Sequence, residues 1–299
     1  MAYSTGDTIL DDEYNAFATS VNAIWGSGTG DAGYGQTNTV SSVSAGASIT
    51  AAQWATLLTR ITSAANHQNS TITSITNPSA GDVIAVLTAL ATNIATITTN
   101  RLNVHGRDSN VTTACSTSTG LTGTIEQRGT WAWGSEDQAR YFFNAGGRVS
   151  ISWDISGHSS NNKANNWNTL AAACGTFIIN AQSSSKSGGS GSASTNNTNA
   201  GWHDMTGSYA TYFQQFEDTG PYTASNIQLQ YYKSGGNVLF RSYWNDAAAD
   251  QTSYNKSVYN VQDQVTGTKA TTFGHEEPTT TYIADTWGNG PSQTVNANG

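Results

Sequence analysis

The sequence predicts an α+β protein, with an N-terminal helical module over residues 1–105 followed by an antiparallel β-sandwich domain over residues 106–299. Three observations predict it. Apolar residues in the first hundred positions recur at helical spacing. Beyond Ser109 the period changes to two and glycine-rich turns appear. Aromatic residues reach 10% of the chain, including 9 Trp and 13 Tyr, which supplies a core and separates the chain from aromatic-poor disordered sequences. A length of 299 residues suits about two domains and needs neither disulfides nor metals to bury a core.

Asp11 and Asp12 follow Ile9 and Leu10 and suit the positive end of a helix. Tyr14, Phe17, Val21, Ile24 and Trp25 then fall on one helical stripe, which Gly26-Ser27-Gly28 ends. Thr50-Ala51-Ala52-Gln53 has the form of a capping box, with Trp54, Leu57, Leu58 and Ile61 as the buried face behind it. Asn77-Pro78-Ser79 opens a third helix carrying Val83, Leu87, Leu90, Ile94 and Ile97. Their spacing is that of a short heptad seam. The stripe either packs on the first two helices or forms a seam between subunits. As a seam, with Leu87 and Ile94 at position a and no buried Asn, it favours a trimer over a two-stranded coil.

In the second half, Tyr141-Phe142-Phe143 runs into Asn144-Ala145-Gly146-Gly147, read as a hairpin-type turn. Val149, Ile151, Trp153 and Ile155 alternate with polar residues as in a half-buried strand. A short helix is expected from Trp167 to Cys174. Ile227, Leu229 and Tyr231 alternate before Ser234-Gly235-Gly236-Asn237 turns into Val238-Leu239-Phe240. Thr266 to Phe273 and Thr279 to Ile283 read as two further strands. Residues 183–201, nearly all Ser, Gly, Asn, Thr and Ala, read as a flexible loop that a subunit contact would order.

Charged residues make up 11% of the chain, against about 25% in an ordinary soluble domain. The surface is thus dominated by uncharged polar groups. A net charge of −8, with 12 Lys and Arg in no cluster, argues against nucleic acid as a partner. No apolar run approaches a membrane span. The N-terminus lacks the charged-then-apolar pattern of a secretory signal, so none is expected.

A search for chemistry finds no catalytic constellation. His275-Glu276-Glu277-Pro278 is not a metalloprotease motif, and the five histidines have no ligand spacing. Asp246 and Asp250 stand four apart, but without the calcium-loop pattern they read as loop carboxylates. Cys115 and Cys174 read as two small buried thiols, with one disulfide as the alternative. No cofactor and no metal is expected, and the chain is not read as an enzyme. Trp131 and Trp133 share one strand face and are core, an interface, or a possible aromatic contact surface for sugar. Tyr231-Tyr232 and Tyr243-Trp244 carry the same three readings.

Two groups of segments resemble virion structural proteins of tailed bacteriophages, in particular those of cyanobacterial phages. In the helical part they are residues 9–17, Gly33-Tyr34-Gly35-Gln36, Ile49-Thr50-Ala51-Ala52-Gln53-Trp54 and Asn66-His67-Gln68. In the β part they are residues 141–149, Trp167-Asn168-Thr169-Leu170 and Val265-Thr266-Gly267-Thr268. The resemblance implies a non-enzymatic, tail-, neck- or fibre-associated protein that assembles as a homo-oligomer, on a particle built in the host cytoplasm. Its partners would be other copies of itself and other virion proteins, with a host-surface glycan as a further candidate. Three-fold tail symmetry in that family agrees with a trimer. A carbohydrate-binding host-attachment adhesin and a head decoration protein are the alternative roles.

Overall fold

A computed structural model describes residues 11–37, 39–77, 79, 87–218, 222–247 and 265–298. The chain divides into two compact units. The first holds residues 1–108, 140–147 and 277–289; the second holds 109–139, 148–276 and 290–299. The chain therefore returns to the helical unit twice after leaving it.

Three helices form the first unit: α1 (Asp11–Trp25), α2 (Ala51–His67) and α3 (Leu87–Thr99). They pack against one another in all three pairings. Tyr14, Val21, Ile24, Trp54, Leu57 and Ile61 are buried there. The capping box at α2 forms as expected. The Thr50 hydroxyl accepts from the Gln53 amide at 3.3 Å, and Gln53 Oε1 accepts from the Thr50 amide at 2.8 Å. Such a cap stabilises by about 1 kcal/mol.

Neutral amide side chains hold much of the loop backbone of this unit, beside the Arg101–Asp31 ion pair. Asn15 accepts from the Val43 N–H at 2.8 Å and donates to the Val43 carbonyl at 2.9 Å. Asn22 clamps Val40 in the same way at 2.8 Å for both bonds, Asn93 clamps Thr73, and Gln36 clamps Ala284. One Asn or Gln side chain presents an acceptor and a donor side by side, as a neighbouring strand would. Four such clamps satisfy extended backbone that has no sheet partner. They give a physical use for some of the Asn and Gln that displace charge from this composition.

In the second unit, two antiparallel sheets face each other. The five-stranded sheet contains β1 (Val111–Thr117), β3 (Arg148–Ser156), β4 (Thr176–Ile179), β5 (Ser184–Ser187) and β10 (Thr268–Glu276), in the order β1-β10-β3-β4-β5. The six-stranded sheet contains β2 (Thr124–Ala132), β6 (Thr195–Asn196), β7 (Ala210–Phe216), β8 (Asn226–Ser234), β9 (Asn237–Asn245) and β11 (Ser292–Asn298), in the order β11-β2-β9-β8-β7-β6. The α+β class, with helices first and a β-sandwich after them, is thus the fold. Trp153 stacks on Phe213 across the sandwich at 5.2 Å between ring centroids, and Trp131 meets Phe273 edge-on at 5.5 Å. Gln127 lies fully buried between the sheets. Its amide donates to the Lys269 carbonyl at 2.8 Å and accepts from Trp244 at 2.9 Å and Thr271 at 2.6 Å.

Helix α5 (Asn162–Cys174) is capped by Asn161, which accepts from the Ala164 amide at 2.8 Å, and ends at Gly175 with φ +63°. Trp167 on this helix meets Trp244 at 6.0 Å. The β8–β9 hairpin turns through Gly235, whose φ of +55° suits a glycine-rich two-residue turn.

Three expectations need correction. Residues 141–143 lie in a helix, α4 (Glu136–Asn144), not in a hairpin. The Ser135 hydroxyl accepts from the Gln138 amide at 3.1 Å, and Glu136 and Asp137 occupy the first turn. Thr279 to Ile283 form no strand; Pro278 makes a single bridge to Arg107, and Thr279 donates to the Gly106 carbonyl at 3.0 Å. Residues 183–201 are not a flexible loop. They supply β5 and β6, the last strands of the two sheets, and so pass from one sheet to the other. Lys186 Nζ ties this segment to the Ser190 carbonyl and to Gln215, each at 2.9 Å.

Candidate functional site

The residues singled out as a subunit seam lie within the helical unit. Leu90 and Ile97 are fully buried, Ile94 is 7% exposed and Leu87 is half-buried. Val83 lies outside the described residues. The stripe turns toward α1 and α2 of its own chain. As placed here, Leu90, Ile94 and Ile97 have no apolar face left to share with another subunit. The same correction applies to Trp131 and Trp133, at 0% and 5% exposed, which are core rather than an aromatic contact surface. The Trp131 indole donates to the Gly274 carbonyl at 3.2 Å, inside the sandwich.

The remaining chemistry-bearing residues also have structural work. His275 bonds Gln293 at 2.6 Å, Glu276 forms an ion pair with Arg148 at 2.8 Å, and Glu277 accepts from the Trp287 indole at 3.0 Å. Asp246 pairs with Lys163 at 2.6 Å, both side chains nearly inaccessible at 2% and 3%. Asp250 lies outside the described residues. Cys115 and Cys174 are buried thiols outside any disulfide, and burial pushes both pKa values up. Among the described residues no group of three or more His, Cys, Asp or Glu could hold a metal ion, and no helix is long and apolar enough to cross a membrane.

The segments 34–36 and 66–68 meet in a buried knot of the helical unit. The Tyr34 hydroxyl donates to the Arg101 carbonyl at 2.6 Å and accepts from Gln68 at 2.8 Å, while Gln68 also donates to the Ile97 carbonyl at 3.0 Å. His67 Nε2 bonds the Ala145 carbonyl at 2.9 Å, and its ring meets Tyr34 edge-on at 5.2 Å. Desolvation lowers the His67 pKa to about 4; the Ala145 bond opposes this and the His105 charge adds to it. Gly35 has φ +72°, and a Cβ there would sit 2.5 Å from the Tyr141 ring. Asn144 donates to the carbonyls of Ala32 at 3.1 Å and Gly33 at 3.2 Å.

Among the described residues, the outer face of the six-stranded sheet carries organised, accessible chemistry. Strand alternation buries Tyr231 and Trp244 and turns their neighbours Tyr232 and Tyr243 outward. The pairing registers set three rows across the face. Gln214, Gln228, Tyr243 and Glu126 form one; Thr211, Gln230, Arg241 and Arg128 the next; Tyr232, Leu239 and Thr130 the third. All are half-buried. Tyr209 packs edge-on against Tyr232 at 4.5 Å. The Arg241 guanidinium lies over the Tyr209 ring at 4.1 Å and the Tyr243 ring at 5.4 Å, and its Nε donates to Gln230 at 2.7 Å. Arg128 is neutralised by Glu126 at 2.6 Å, the hydrogen bond and charge of which raise its pKa. Burial raises the pKa of Tyr209 and Tyr243 as well, so both stay neutral hydroxyls at physiological pH.

Sequence reasoning singled out Tyr232 and Tyr243 but did not reach Tyr209, Arg128 or Arg241. Arg241 sits between Phe240 and Ser242 in a strict alternation, and that alternation was the available signal. No family model, no curated protein and no solved structure matches the chain.

Proposed function

We propose that the protein is a non-enzymatic structural component of a tailed-bacteriophage particle, associated with tail, neck or fibre and present there as a homo-oligomer. The observation that supports this reading is the fate of the residues that carry the resemblance. Tyr34, Gln36, His67, Gln68 and Asn144 are all buried and hydrogen-bonded to backbone or to one another. Such residues hold a scaffold together. With the third-helix stripe turned inward, subunits associate through other surfaces. Val111 on β1 and Val295 on β11, exposed by 53% and 37% and each on an edge strand of its sheet, are where a neighbour adds apolar contact. Repeated copies on one particle then make each further link effectively intramolecular.

Immunogold imaging of intact particles, with antibody raised against the purified chain, tests this. Regular labelling at one location on the particle is expected. Label confined to cell debris, with bare particles, would contradict it.

A second reading, a carbohydrate-binding host-attachment protein, is favoured by the tyrosine–arginine face of the six-stranded sheet.

A further inference from the structure

We propose that the outer face of the six-stranded sheet binds a carboxylated glycan, with Arg241 pairing the acid group and Tyr232 and Tyr243 stacking the sugar rings. The inference rests on the attachment reading above and deepens it by naming the ligand chemistry and the residue that reads it.

Arg241 is the charge on this face without an acidic partner among the described residues. Arg128, its neighbour in the same row, is matched by Glu126. Arg241 instead rests on two tyrosine rings and uses only Nε, toward Gln230. Its two Nη groups have no partner among the described residues. A guanidinium held this way keeps its planar fork ready for bidentate pairing with a carboxylate.

The surroundings fit a sugar better than other anionic partners. Tyr232 and Tyr243 offer half-exposed rings on either side of the Arg241 row. Gln228, Gln230 and Thr211 already bond one another at 3.0–3.5 Å, so their remaining donors and acceptors are pre-positioned for hydroxyls. Rigid aromatics and ordered amides bind with little entropy lost on ordering. A nucleic acid requires several cations to meet successive phosphates, and this face has one to give. A protein partner of ordinary affinity seats its centre on a desolvated apolar cluster. Here the three rows hold Leu239 as their one aliphatic side chain, beside a charged centre.

The test uses the full-length protein on an immobilised panel of uronate- and sialate-containing oligosaccharides, each beside its carboxyl-reduced counterpart. Saturable binding to at least one acidic glycan is expected, weakened tenfold or more on the reduced form. Arg241→Gln should lose tenfold or more on the acid and little on the reduced glycan. Tyr232→Ser should weaken both. Both positions are on the outside of the sheet, and an unchanged thermal melt checks the fold of each variant; if Tyr232→Ser fails that check, Arg241→Gln alone decides. Equal binding of acidic and reduced forms would overturn the carboxylate assignment while leaving a sugar-binding face. Binding that survives Arg241→Gln would overturn the site. No saturable binding anywhere on the panel, with a protein from host envelope extracts captured instead in an Arg241-dependent way, would overturn the glycan and the attachment reading together.

Discussion

Acid should loosen the helical unit through His67. The ring is fully buried, its Nε2 bonds the Ala145 carbonyl, and its pKa is lowered to about 4 from an ordinary value near 6.5. The bond to a carbonyl requires Nε2 to carry the proton of the neutral ring. A second proton on Nδ1 would place a charge in a desolvated site beside Tyr34. Between pH 6.5 and 4 the unfolded chain binds that proton and the folded chain does not, so stability falls as pH falls. The loss begins near pH 6.5 and is complete near pH 4. A shift of this size corresponds to about 3 kcal/mol, at roughly 1.4 kcal/mol per unit. His67→Gln keeps a donor for the Ala145 carbonyl and has nothing to titrate. Urea unfolding followed by fluorescence, at pH 7.5, 6.0 and 4.5, should show the wild type losing stability relative to His67→Gln as pH falls, because only the wild type weakens through this group. A wild-type minus variant difference that stays constant with pH would refute the reasoning.

Asp246→Ala should cost about 3–5 kcal/mol, because it leaves the buried Lys163 ammonium without its carboxylate; chemical denaturation measures it, and a change under about 1 kcal/mol would show that Lys163 reaches water. Leu90→Asp should unfold the helical unit, at a cost of about 3 kcal/mol or more, since it removes a buried side chain and desolvates a carboxylate. A loss of helical circular dichroism is expected; intact helices with subunits dissociating in light scattering would instead make the stripe a seam. A chain beginning at residue 109 should be cut readily by protease within 140–147 and 277–289, because Asn144 loses the carbonyls of residues 32 and 33 and Ala284 loses Gln36. Full protection of both segments would contradict the division of the chain into these units.

Where one local rule decides an element, the residues announce it. Thr50 and Gln53 specify a helix start by themselves, and Gly235-Gly236 between two alternating runs specifies a hairpin. The parts that were not legible depend on residues far apart in the chain. Whether Leu90 and Ile97 face a neighbour helix or a neighbour subunit cannot be read from a stripe, since both bury the same side chains. The sequence of 135–138 held a capping signal, but the aromatic run 141–143 and the glycines after it suggested a strand and turn. Segment 277–289 returns to the helical unit through the Gln36–Ala284 clamp, a pairing across 248 positions that no local pattern encodes. At the candidate site, alternation was enough to send Tyr232 and Tyr243 to one face. Only the strand registers place Arg241 opposite Arg128, one row from Glu126, with its guanidinium over the Tyr209 ring.

The proposed role makes this chain a built-in part of a phage particle. Quantitative mass spectrometry of gradient-purified particles, taken from lysates of the cells in which the chain is made, tests it most directly. Peptides from both units should co-purify with the major capsid protein at a fixed ratio of several copies per particle, unchanged by a high-salt wash. A chain abundant in the lysate but absent from the purified particles would contradict the account.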